Sequence, residues 1–351
     1  MVCKGPKSQS CESGQRVNVG KSYRLSEFLV WTRREIYVLL VLAAVPVCLY
    51  QLAGWRWLTV PWTVVALIGT ATAFIVSFKN TQTYTRTVEA QQIWTSILSA
   101  SKAWALMSRD YVKTETTTRQ LVNRHIAWVT ALRYQMRRPR AWESTHGRTN
   151  AEYQRTYCVP EKETALETEL ARYIGADEIR ALLTSRNKAT QLMANQSRAI
   201  KELFQGGDIA INFFIEMEKG LKELLDHQGR SERIKNFPYP RQYAIINSFF
   251  IRFFCVLLPF GLLKEFDSLN TLAPLWMKGY MVWLVVPFSV MVSWMYTTLE
   301  QVGASTENPF EGGANDVPMA QINRMIEVEL REMLGDTDLP PLLRPKNNII
   351  L

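Results

Sequence analysis

The chain has 351 residues, of which 47% are hydrophobic and 21% charged, with a formal net charge of +9. A mean hydropathy of −0.09 fits a soluble protein, but the apolar residues are segregated into long windows, so the windows carry more information than the mean. The basic balance suits membrane topology and attraction to anionic lipid, no nucleic-acid partner is expected, and five scattered cysteines without a CxxC give no disulfide framework or zinc site.

Residues 1–24 are polar and are expected to form a flexible tail without the layout of a secretory signal. Ser26 to Arg34 fits a short helix at a membrane surface. Ile36 to Trp55 is free of charge and long enough to cross a bilayer core, with Pro46 placed to kink it. Trp57 to Phe78 is a second charge-free run, separated from the first by Arg56 alone. No breaker follows it, and Ile93, Ile97, Ala100, Trp104 and Met107 continue at helical spacing, so one long helix is expected to reach Tyr111.

The middle of the chain is charged and amphipathic. Helices are expected over 115–135, 161–174, 176–197 and 208–227, with a loop over 137–156 and a break at Gly206-Gly207. Pro238 and Pro240 set an extended entry into a third apolar stretch, Gln242 to Leu263, which carries Arg252 in its middle. A charge at mid-bilayer costs about 2.5 kcal/mol or more, so Arg252 is expected to face protein, water or an interface rather than lipid. Gly279 to Leu299 is the fourth apolar stretch. Beyond it, Asn315-Asp316-Val317-Pro318 offers a cap and a helix-starting proline before the stripe Ile322, Met325, Ile326, Leu330 and Met333. Pro340, Pro341 and Pro345 then end helix and leave an extended tail.

These elements predict an all-α, multi-pass membrane protein. Its parts are a tail (1–24), a surface helix with two spans (25–78), a helical cytosolic domain (79–241), two further spans (242–299), and a C-terminal helix with its tail (300–351). Lys and Arg crowd the N-terminal flank, the exit of the second span and the entry of the third, which places both termini and the middle domain in the cytoplasm and the protein in the cell membrane. Enzymatic chemistry is not expected: HExxH, GxSxG, Walker and GxGxxG patterns are all missing. His125, His146 and His227 lack metal or triad spacing, and His125 lies on an apolar stripe as a structural residue.

Three motifs are more specific. Ser77-Phe78-Lys79-Asn80 leads through Tyr84, Arg86, Glu89 and Ala90 to Ile93-Trp94. Ser231-Glu232-Arg233-Ile234 precedes Pro238, Pro240 and the run Leu257-Leu258-Pro259-Phe260-Gly261-Leu262. Glu307-Asn308-Pro309-Phe310 precedes Asn315-Asp316-Val317-Pro318. In order and spacing these resemble the bestrophin family, with its bacterial members as the nearer match. The resemblance implies a homopentameric ion channel with four membrane helices per subunit and a helical cytosolic domain. Five second helices would line one central pore that narrows again near its cytosolic base. It also implies passive conduction of small monovalent ions, with chloride or another small anion as the default and sodium as the alternative. A transporter would be expected to show internal repeats around a midplane site, and the two pairs of spans show no similarity to one another.

The family neck has three bulky apolar residues at i, i+4 and i+8. Counted back from Lys79, that register falls on Thr63, Leu67 and Ala71, of which only Leu67 is bulky and apolar. Gly69 and Ala73 offer a small-residue packing face on the same helix. The family's cytosolic aperture falls at the start of the helix before the Glu-Arg-Ile motif, with Ile209, Ile211 and Phe213 as candidates. Eukaryotic members hold calcium with an acidic run after Asn-Pro-Phe. Glu311 to Asp316 has two acids there, so a calcium clasp is doubtful and no cofactor is expected.

Overall fold

The computed structural model describes residues 25–143, 154, 157–272, 274, 277–345 and 349–351; the expected tail and His146 lie outside the described residues. In chain order the helices are α1 (Leu25–Gln51), α2 (Trp62–Tyr111), α3 (Glu115–Met136), α4 (Pro160–Glu163), α5 (Leu166–Leu170), α6 (Ala176–Leu183), α7 (Lys188–Gln205), α8 (Ile211–Asn236), α9 (Arg241–Ser268), α10 (Val285–Ser305) and α11 (Met319–Met333). The described chain divides into two compact units, one of residues 22–87 and 238–308 and one of residues 88–237 and 309–351.

The first unit holds the apolar helices. Trp62–Tyr111, Arg241–Thr271 and Met281–Ser305 are long and apolar enough, by length and composition, to cross a membrane. Helix α1 runs through the expected surface segment and the first apolar run without interruption, with Pro46 inside it. It ends at Gln51, short of the expected Trp55, because the chain reverses at Gly54 with φ +72°, a conformation glycine adopts freely. Pro61 immediately precedes α2, so Trp57 to Pro61 approach the helix from outside it. The 50 residues of α2 continue past the apolar run as expected. They span about 75 Å at 1.5 Å per residue, more than twice the thickness of a bilayer core.

Side chains seated on glycines hold this unit together. A Cβ on Gly69 would lie 2.7 Å from the Phe254 ring, and one on Gly261 would lie 2.7 Å from Val65 Cγ2. Each glycine thus leaves the hollow in which the other helix seats a bulky side chain, Phe254 against α2 and Val65 against α9. The Tyr296 hydroxyl of α10 donates to the Gly69 carbonyl at 3.1 Å. Around them Leu39, Val65, Val76, Ile251, Phe254 and Leu258 form the core.

In the second unit α3 is the most buried helix segment around the core, with every residue from His125 to Arg133 buried. Its Trp128, with Trp94 and Trp104 of α2, supplies the largest fully buried side chains. His125 lies near both Trp104 and Trp128, with ring centroids 6.2 and 5.2 Å away, and its Nε2 is 2.8 Å from Ser101 Oγ. Burial pushes its pKa down to about 3, so it is a neutral core residue, as its stripe position implied.

Two expected helices are broken. The stretch 161–174 forms two short helices and a turn. The stretch 176–197 splits into α6 and α7, because Asn187 Oδ1 accepts from Thr190 N at 3.0 Å and caps a new helix start.

The Ser-Glu-Arg-Ile stretch ties this unit together from α8. Glu232 Oε1 accepts from Gln135 at 2.8 Å, Asn187 at 2.8 Å and Gln228 at 2.9 Å. Arg233 pairs with Glu89 of α2, and Ile234 enters the core. Glu232→Ala is expected to destabilise the protein by about 2–4 kcal/mol, because it strands three donors on three elements. Glu232→Gln, which keeps an acceptor, should lose less than half of that. Thermal unfolding of the detergent-solubilised protein checks this, and equal melting temperatures for Glu232→Ala and the parent would contradict it.

Candidate functional site

Helix α2 turns one side toward the core and leaves the other bare. Val65, Gly69, Thr72, Val76, Lys79 and Thr83 are buried, whereas Thr63, Leu67, Thr70, Ala71, Phe74, Phe78, Thr81 and Thr85 are exposed. Lys79 faces away from the bare side: its Nζ lies 3.7 Å from Glu307 Oε2, and both side chains are largely buried. Burial pushes the Glu307 carboxyl up, against the pull of Lys79 and Arg86. Asn80 donates to the Leu299 carbonyl at 3.1 Å and Thr87 to the Thr306 carbonyl at 2.8 Å, fixing the rotation of α2 against α10 and the residues after it. The bare face from Thr63 to Thr85 therefore carries no charge.

Thr63, Leu67 and Ala71 all lie on this face. Phe74 shares the face as well. At about 100° per residue, Phe74 falls within about 20° of Leu67, while Thr63 and Ala71 stand about 40° to either side. Leu67 is 72% and Phe74 73% exposed. A 3.6-residue period places Phe74 on that face, whereas a spacing of four passes over it. Of the two small residues in the expected packing pair, Gly69 is buried in the α2–α9 contact and Ala73 is exposed.

The exposed hydroxyls share one geometry. Thr70 donates to the Ala66 carbonyl at 2.9 Å, Thr81 to Ser77 at 3.0 Å and Thr85 to Thr81 at 2.9 Å. Farther along, Thr95 donates to Gln91 at 2.9 Å. Each proton is held by the helix backbone, so the oxygen lone pairs are what the face presents outward.

In the second unit the three aperture candidates separate. Ile209 is 4% exposed and belongs to the core. Phe213 stacks on Tyr111 with centroids 4.2 Å apart. Ile211, the first residue of α8, is 55% exposed.

The loop after Asn-Pro-Phe closes on itself. Asp316 does not cap α11 as expected. Its Oδ2 accepts from Gly312 N at 2.7 Å and Gly313 N at 2.9 Å, and lies 3.4 Å from the Arg137 guanidinium. Arg137 and Arg133 both approach Glu161, at 3.5 and 3.3 Å, and Lys235 pairs with Glu143 nearby. All six charged side chains are at least nine-tenths buried. Burial pushes Asp316 up to about 6, against Arg137 and the two glycine N–H groups, and pushes Lys235 down. Among the described residues no three His, Cys, Asp or Glu side chains converge as metal ligands.

The chain is similar to known proteins. Residues 29–332 match the family model described as bacterial/fungal bestrophin protein. A voltage-dependent anion channel-forming protein of Escherichia coli K12 is 22% identical over 281 residues, covering 80% of this chain and 79% of the relative. A voltage-dependent anion channel-forming protein of Ralstonia nicotianae is 24% identical over 277 residues, covering 78% of each. The crystal structure of a bacterial bestrophin homologue from Klebsiella pneumoniae is similar with a TM-score of 0.71 at 21% identity, covering 86% of this chain and 97% of that one.

Proposed function

The chain belongs to the bacterial and fungal bestrophin family, and from that premise we propose that it is a channel passing small monovalent anions passively across the cell membrane. Five copies surround one pore. Each contributes α1, α2, α9 and α10 as membrane helices, with both termini in the cytoplasm. The observation that carries this reading is the bare, uncharged face of a membrane-length helix. Five such faces around an axis would turn each exposed position into a ring. Leu67 and Phe74 would form two bulky apolar rings of the neck, flanked by the smaller Thr63 and Ala71, and Ile211 would form the cytosolic aperture. Apolar rings gate by excluding water. The anion preference rests on the names of the relatives.

A second reading, a monovalent cation channel of the same build, is favoured by the hydroxyls. Thr70, Thr81 and Thr85 keep their protons on backbone carbonyls and offer lone pairs outward, and lone pairs suit sodium better than chloride.

Either reading is of a channel and not of an enzyme or transporter. Purified protein in liposomes should carry ion flux that is linear in driving force, with no added substrate and no second coupled ion. Saturable, coupled flux, or flux that appears only with a substrate, would contradict it.

A further inference from the structure

Arg252 is the one charged residue inside the apolar stretch of α9, and it is exposed. It makes no hydrogen bond or ion pair with any described residue. Its surroundings on the same helix face are apolar, with Ile245 67%, Phe249 60%, Phe253 41% and Val256 41% exposed. One turn nearer the start of the helix, Ser248 bonds to Glu300 of α10. Between Trp62 and Phe78 of α2, between Gln242 and Leu263 of α9, and from Val285 to Leu299 of α10 there is no acidic residue. Helix α1 carries Glu35, whose charge reaches Cys255 of α9, and Glu300 lies at the level of Ser248, but within the described residues of this chain neither carboxylate pairs with Arg252, which leaves its charge open to a ligand.

Helix side chains lean toward the N-terminus of their helix. The N-terminus of α9 points to the cytoplasm in the reading above, on which this inference rests. Arg252 Cα lies about 6 Å deeper than Ser248, and an extended arginine covers that distance, so the guanidinium rises to the Ser248–Glu300 level while its stem lies along apolar surface. The planar fork it presents there matches two oxygens of a phosphate. We propose that Arg252 is the headgroup anchor of a phospholipid site in the cytosolic leaflet, taking the phosphodiester of an anionic phospholipid, with the acyl chain along Phe249, Phe253 and Val256.

The test uses the full-length protein, delipidated in detergent and offered phosphatidylglycerol and phosphatidylcholine in competition, with retained lipid counted by native mass spectrometry. The parent is expected to retain phosphatidylglycerol in preference. Arg252→Gln should reduce that preference by about tenfold, the worth of one charge-assisted bidentate contact, and Arg252→Lys should keep part of it. Equal preference in parent and Arg252→Gln overturns the site. So does an Arg252→Gln protein whose oligomeric mass falls while its lipid preference stays, because the arginine then bonds another copy. If Arg252→Gln does not purify, photoreactive phosphatidylglycerol on the parent decides. Crosslinks in the peptide around residues 245–256 that exceed those from the phosphatidylcholine analogue support the site, and equal yields overturn it. Ion flux measured on the parent in vesicles of the same lipids keeps the two readings apart. Lipid preference without flux contradicts the channel alone, and flux without lipid preference contradicts this site alone.

Discussion

Replacing Leu67 and Phe74 together by alanine is expected to raise unitary conductance and open probability well beyond either single change. The two side chains stand within about 20° on α2 and are 72% and 73% exposed, so a fivefold arrangement would stack them as two apolar rings one above the other. While one bulky ring remains, water is still excluded at that level. In that arrangement, removing both would leave a neck lined by Thr63, Thr70, Ala71 and the two new alanines, where a continuous water column would fit. A loss of about 1.4 kcal/mol from the permeation barrier is tenfold in rate, and the double variant is expected to reach that order. The converse substitution, Ala71→Ile, adds a third bulky ring beside Leu67 and should suppress current. Single-channel recording in planar bilayers reads all four variants. Unchanged conductance in the double variant would remove α2 from the pore wall.

Arg137→Met is expected to be the most costly single change in the second unit. It leaves Asp316 without its guanidinium and Glu161 with Arg133 alone. Breaking one partner of a buried ion pair costs about 3–5 kcal/mol, mostly from the charge left uncompensated. Asp316→Asn in the Arg137→Met background should therefore recover part of the loss, since asparagine still accepts from Gly312 and Gly313 but carries no charge. Additive effects of the two substitutions would contradict the coupling.

The same carboxyl fixes a pH trend. Asp316 titrates at about 6 in the folded chain and at about 3.9 unfolded. Between those values the folded state holds a proton that the unfolded state has released. Its contribution to stability is therefore full below about pH 4 and is lost as pH rises through about 6. At about 1.4 kcal/mol per unit, the swing is on the order of 2–3 kcal/mol. The parent should gain melting temperature relative to Asp316→Asn on going from pH 7.5 to pH 4.5. A difference that stays flat with pH would contradict a buried, proton-holding Asp316.

Much of the fold is legible in the residues because periodicity and missing charge are local properties. The continuation of α2 to Tyr111 follows from apolar spacing alone, and the structure has it. What local reading misses depends on partners distant in sequence. Asn187 reads as one more helical residue until its side chain is seen to cap Thr190. Asp316 sits where a helix cap is expected, yet it bonds backward to two glycines and across to Arg137. On the exposed face of α2, counting by fours reaches Leu67 but passes over Phe74, because it drifts off a 3.6-residue helix by nearly half a residue per turn. Ile209 and Ile211 are both isoleucines near the start of one helix, and only packing shows that the first is core and the second exposed.

The ion preference of the proposed channel is decided most directly by the reversal potential of the purified protein in asymmetric sodium chloride. A shift toward the chloride equilibrium potential, retained when sodium is replaced by a large organic cation, is the predicted result. A shift toward the sodium equilibrium potential would contradict anion permeation and give the outward lone pairs of Thr70, Thr81 and Thr85 the deciding role.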